Sequence, residues 1–88
     1  MPQPRITLYS KPGCHLCEDA RAAIERIAAD TGTDFVEIDI NDDPALVDEY
    51  AEMIPVILLD GAMHGYFRVE ERRLRRDIAA TATPRRTP

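Results

Sequence analysis

The chain has 88 residues, enough for one domain that buries a modest core without a permanent staple. Its hydrophobic fraction of 44% is ordinary for a globular protein, and no run of about 18 uncharged apolar residues is present to span a membrane. The net charge of −5 is split, with 4 basic against 13 acidic residues in 1–67 and 7 against 3 in 68–88, and the absence of aromatics among the late arginines argues against nucleic acid as a partner.

Residues 5–10 read as the first strand, with Ile6 and Leu8 alternating with Thr7 and Tyr9. Pro12 and Gly13 break it, and a helix is expected over 14–30. Leu16, Ala20, Ala23, Ile24 and Ile27 follow the spacing of a single apolar face, with Glu18, Asp19, Arg21, Glu25 and Arg26 on the wet side. Gly32 suits the stop.

The two cysteines, Cys14 and Cys17, sit where this strand turns into this helix. A C-x-x-C at that place reads as a thiol–disulfide redox site. The first N–H groups of a helix have no internal partner, and the helix dipole puts partial positive charge there. A thiolate is favoured at that position, so Cys14 is expected to ionise below the free value of about 8.5. Cys17 lies one turn on, on the same face, within disulfide reach. Two other readings stand beside this one: inert buried thiols, or part of a zinc site. The zinc site lacks ligands within the chain, since only His15 and His64 are spare and His15 points away from its flanking cysteines.

A second strand is expected over 35–40, half exposed, with Val36, Ile38 and Ile40 alternating with Glu37 and Asp39. Asp43 as N-cap and Pro44 as first helical residue start a short helix over 44–52 that buries Leu46, Val47 and Tyr50. Pro55 precedes Val56-Ile57-Leu58-Leu59, the apolar run of a buried strand. Asp60-Gly61 signals a hairpin, and 62–67 returns antiparallel. The last helix covers 69–81, with Leu74 and Ile78 as a narrow apolar stripe and Arg72, Arg73, Arg75 and Arg76 on a solvated face. Tyr9 and Phe35 read as core, and His64 as structural or exposed. The domain is expected to occupy 1–80, with 81–88, including Arg85 and Arg86, as a disordered tail.

The resulting β-α-β-α-β-β-α order calls for an α/β fold, a four-stranded mixed sheet flanked by three helices on its two faces. That order, with C-x-x-C opening the first helix and a lone Pro before the third strand, resembles the thioredoxin fold over residues 5–80. The run Leu8-Tyr9-Ser10-Lys11-Pro12-Gly13-Cys14-His15-Leu16-Cys17, with Ile54-Pro55-Val56, is similar to the glutaredoxin branch. Larger thioredoxins have a Trp directly before the first cysteine and a buried Asp six residues before it; here Gly13 and Leu8 stand there. The resemblance implies that Cys14 is the attacking thiol and Cys17 the resolving one. It implies that Lys11 helps hold a thiolate or a glutathione carboxylate, and that Pro55 is cis and lies against the cysteines. Ile54 then offers its backbone to an extended thiol substrate, and Pro12, Gly13 and His15 complete the substrate-facing loop, where His15 is placed to stabilise a thiolate.

Glutathione-using relatives carry Gly-Gly and then an acidic residue entering the last helix. The matching segment here is Gly65-Tyr66-Phe67-Arg68-Val69-Glu70, so Tyr66 replaces one glycine and the acid is displaced to Glu70 or Glu71. Glutathione is therefore expected to be a poor partner, and thioredoxin reductase stands beside it as the electron donor.

The expected activity is reduction of protein or small-molecule disulfides through the Cys14/Cys17 dithiol, by a monomer that binds no cofactor, no nucleic acid and no membrane. The N-terminus has no apolar stretch resembling a signal peptide, so a cytoplasmic location is expected, where disulfides are usually transient and catalytic. The alternatives are a zinc or iron–sulfur module completed by another chain, and a non-catalytic adaptor that binds partners through its hairpin.

Overall fold

A computed structural model describes residues 4–81. In chain order the elements are β1 (Ile6–Ser10), α1 (His15–Thr31), β2 (Phe35–Asp39), a single 3-10 turn (Ile40–Asp42), α2 (Pro44–Tyr50), β3 (Val56–Leu59), β4 (Ala62–Tyr66) and α3 (Glu71–Thr81). The strands lie in the order β2-β1-β3-β4. β1 and β2 run parallel, with Ile6 opposite Phe35 and Ser10 opposite Asp39. β3 is antiparallel to β1, with Leu8 opposite Ile57, and β4 is antiparallel to β3. The crossover through α1 is what permits the parallel pair.

Alternation along the two central strands builds one core on each face of the sheet. Ile6, Leu8, Ile57 and Leu59 meet Ala20, Ile24 and Ile27 of α1 and Leu74 and Ile78 of α3. On the other face Tyr9, Val56 and Leu58 meet Leu46, Val47 and Tyr50 of α2, together with Ile40, Ile54 and both cysteines. Tyr9 and Tyr50 stack there with ring centroids 4.9 Å apart.

Local chemistry sets most of the boundaries. Gly32 takes φ +66 after α1 and returns its N–H to the Ala28 carbonyl, the left-handed stop that glycine adopts at little cost. Asp43 Oδ1 accepts the Ala45 N–H at 2.9 Å, and Pro44 opens α2 behind it. Asp60 and Gly61 both have positive φ, 53° and 87°, as the tight β3–β4 turn requires.

Several expectations are corrected. Cys14 is the N-cap of α1 rather than its first helical residue. Leu16, assigned to the apolar face of that helix, is 50% exposed: Cys17 is the residue its first turn buries, and Leu16 packs into neither core. β2 stops at Asp39, its five residues are all half-buried as befits an edge strand, and Ile40 is buried from the 3-10 turn that follows. α2 ends at Tyr50, and Leu46, Val47 and Tyr50 are only half-buried, since a helix of 7 residues covers little of its face. β4 ends at Tyr66, because Phe67 takes φ +70 and leaves the strand. α3 begins at Glu71, two residues late.

Two of the α3 arginines bind the rest of the fold instead of only water. Arg75 reaches Asp30 of α1 at 3.0 Å, and Arg73 Nη2 donates to the His64 carbonyl at 2.6 Å. His64 itself, its side chain only 7% exposed, bonds Asp77 at 2.8 Å. Of the expected tail, Thr81 closes α3, while residues 82–88, with Arg85 and Arg86, lie outside the described residues.

Candidate active site

The site forms where β1 delivers the chain to α1. Gly13 at φ +76 makes the turn; no atom lies within 4 Å of where a Cβ would sit, so the backbone conformation, not space, is the reason for glycine. Cys14 follows in an extended conformation, φ −102° and ψ 113°, and its Sγ accepts the Cys17 N–H at 3.2 Å. The sulfur thus occupies the place of an ordinary N-cap oxygen and faces the unpaired N–H groups of the first turn.

The two thiols differ in environment. Cys14 is half-buried, whereas Cys17 has no exposed surface and packs with Ile40, Ile54 and Val56. Burial pushes the Cys17 thiol up to about 11. Its hydrogen bond with Cys14 adds to the rise, as do, more weakly, the negative charges of Cys14 and Glu37, while a backbone hydrogen bond from Lys11 opposes it.

The Ile54–Pro55 bond is cis. Pro55 is fully buried, and its carbonyl accepts the Phe67 N–H at 2.8 Å, which ties the start of β3 to the end of β4. Ile54 packs in the same cluster as both cysteines. The fold therefore brings together Cys14, Cys17 and Ile54, three of the residues singled out from sequence, with Pro55 following Ile54 in the chain. Lys11, Pro12, Gly13 and His15 form the exposed rim around Cys14.

A charged cluster beneath that rim was not foreseen. Glu37 of β2 receives Arg21 Nε and Nη2 at 2.7 and 2.9 Å and the Ser10 hydroxyl at 2.7 Å. Arg21 holds the Glu37 carboxyl below its usual range; burial works the other way, and Ser10 assists Arg21. These three residues line a cavity of about 290 Å³ together with Lys11, Pro12 and Asp39. The only sequence hint was Arg21 standing one turn after Cys17. Its partner lies 16 residues on in the chain, and only the parallel pairing of β1 with β2 brings it near.

His64 is held by Asp77 on α3, and among the described residues no group of three or more His, Cys, Asp or Glu side chains is arranged to hold a metal ion. Among the same residues no helix is long and apolar enough to cross a membrane.

A four-stranded mixed sheet with three helices, a C-x-x-C opening the first helix and a cis proline directly before the third strand define a protein of the thioredoxin fold. Solved structures agree. A thioredoxin from Halobacterium salinarum superposes with a TM-score of 0.61 at 21% identity, over 85% of this chain and 71% of that one. The holo form of glutaredoxin C1 from poplar superposes at 0.53 and 16%, over 89% and 81%. A protein from X. campestris superposes at 0.70 with 31% identity, over 86% and 97%.

Residues 5–79 match the model of the Glutaredoxin-like domain (DUF836), and the chain belongs to that family. Relatives in Mycobacterium bovis and Mycobacterium tuberculosis, described as uncharacterized proteins, are 34% identical over 84 residues, covering 90% of this chain and 87% of theirs.

Proposed function

We propose that the protein is a dithiol–disulfide oxidoreductase acting through Cys14 and Cys17. The observation that carries this reading is the asymmetry of the pair: Cys14 is half-buried at a helix N-cap, and Cys17 is sealed one turn inside it, its backbone N–H donating to the Cys14 sulfur.

The Cys14 thiolate attacks a substrate disulfide. The substrate S–S bond breaks, its leaving thiolate takes up a proton, and a Cys14–substrate disulfide forms. Cys14 then carries neither negative charge nor free thiol, so two of the influences that hold the Cys17 proton disappear. Cys17 loses its proton and attacks the Cys14 sulfur. Reduced substrate leaves, and the Cys14–Cys17 disulfide remains. Two electrons have passed from the dithiol to the substrate, and a reductant restores the starting state. Ile54, next to the cis Pro55, supplies backbone groups against which an extended substrate docks.

Two donors fit this cycle, glutathione with its reductase or thioredoxin reductase, and the replacement of the second glycine by Tyr66 favours the latter. The cytoplasm is the compartment that suits such a cycle. The test is direct. The oxidised protein is offered glutathione with glutathione reductase and NADPH, or thioredoxin reductase with NADPH, and recovery of its thiols is followed. In parallel, a Cys17→Ser variant should accumulate a Cys14 mixed disulfide with a protein disulfide substrate, visible by mass. No mixed disulfide in that variant, and no insulin reduction by the unaltered protein, would defeat the reading.

A further inference from the structure

A cavity of about 510 Å³ lies between the first three turns of α1 and the segment joining β4 to α3. It adjoins the Cys14 loop, since Leu16, two residues beyond the attacking sulfur, forms one side of it. Phe67 forms another, and both side chains are half exposed, at 50% and 48%. Ala20 and Ala23 keep the helix side shallow.

Phe67 is held there at a cost. Its φ of +70° is an outlier for a bulky residue, and the fold enforces it by bonding its N–H to the carbonyl of cis Pro55. The Tyr66 ring lies edge-on to it, with centroids 4.9 Å apart. The ring nonetheless stays half in water, so its burial within the protein offsets the strain only in part. A strained residue holding an aromatic ring in solvent, tied by its backbone to Pro55, has the character of a binding anchor prepared in advance. The charges around it suit a neutral group. Arg26 and Glu71 neutralise each other at 2.6 Å, and the remaining two, Asp19 and Arg68, are of opposite sign.

Leu16 lies within the C-x-x-C, and Phe67 is bonded to Pro55, the chain neighbour of Ile54 in the cysteine cluster, so both sides of the cavity are tied to the site. We infer that the substrate is an extended polypeptide whose half-cystine is flanked by a bulky aliphatic or aromatic residue, and that this side chain enters between Leu16 and Phe67. Glutathione has no such group to place there. The inference rests on Cys14 as the attacking thiol and names the substrate class of the same site.

Two short peptides identical except for Phe or Ser beside their single cysteine provide the test, each as a mixed disulfide with thionitrobenzoate. Attack of Cys14 on the peptide sulfur breaks that S–S bond and expels the coloured thionitrobenzoate anion, so absorbance gives the second-order rate constant. The unaltered protein should prefer the Phe peptide by about tenfold, the discrimination that one apolar side chain in a partly open site provides. Phe67→Ala and Leu16→Ser should each bring the ratio of the two rates toward one, and Phe67→Leu should retain most of it. Leu16 is exposed, so its replacement by Ser leaves the core intact, and circular dichroism checks the fold of the Phe67 variants. Equal rates in the unaltered protein, or a preference that survives both substitutions, would overturn the inference while leaving the oxidoreductase reading in place. Reaction with neither peptide would instead remove the oxidoreductase reading itself.

Discussion

Replacing Cys14 with Ser isolates Cys17, whose reactivity the structure constrains. The Cys17 sulfur has no exposed surface, and its thiol is pushed up to about 11, chiefly by burial. At pH 7 a thiol with that value is ionised in about one molecule in ten thousand, against roughly one in thirty for a free cysteine. The substitution removes the smaller contributions of the Cys14 thiol and leaves burial, the largest, in place. Alkylation of Cys17 in Cys14→Ser should therefore run about a hundredfold slower than that of a free cysteine at pH 7, before any steric obstruction. The rate should climb about tenfold per pH unit and still be rising past pH 9, as thiolate-limited reaction requires. Limiting iodoacetamide, with mass-spectrometric mapping from pH 6 to 10, measures both features. In the unaltered protein the same reagent should label Cys14 first. Alkylation of Cys17 at the free-cysteine rate at pH 7, or a plateau below pH 9, would refute the view that burial holds the resolving thiol in reserve.

Glu37 sits below its ordinary value, so its pairing contributes stability that is present above about pH 4.3, the unfolded value, and lost as pH falls through the folded one. Arg21→Met removes the largest cause and should flatten the acid limb of urea stability between pH 3 and 7, with only a small loss at neutral pH because the pair is partly exposed; an unchanged limb would contradict this. Leu74 is fully buried between α3 and the sheet, so Leu74→Ala should lower the urea stability by about 2–5 kcal/mol, and a loss under about 1 kcal/mol would mean that α3 is not part of the core. Turnover in a glutathione-coupled hydroxyethyl-disulfide assay should be weak and should improve roughly tenfold in the pair Tyr66→Gly with Arg68→Asp, the worth of about one charge-assisted hydrogen bond. Strong turnover left unchanged by that pair would show that these two positions do not govern donor choice.

Local chemistry in the sequence was enough to place every strand and helix to within about two residues, the usual uncertainty of element ends. Gly13, Gly32, Asp43-Pro44 and Asp60-Gly61 act on their immediate neighbours, and each stands at the boundary it announces. The C-x-x-C was legible for the same reason, since a helix start and a spacing of three are local properties. The family resemblance added the cis Pro55, and the alternation of the central strands supplied the two cores.

Only the tertiary structure decided which apolar residues remain outside. Leu16 has the same helical spacing as Ala20 and Ile24, but periodicity gives a direction around the helix and says nothing of where the neighbouring layer ends. Phe67 looked like the last residue of a strand; its hydrogen bond to Pro55, 12 residues earlier, bends the chain and leaves its ring in water. Glu37 looked like the wet side of a half-exposed strand until the pairing of β1 with β2 set it against Ser10 and Arg21. Each of these outcomes depends on a contact between segments that are distant along the chain, and such contacts exist only once the sheet has assembled.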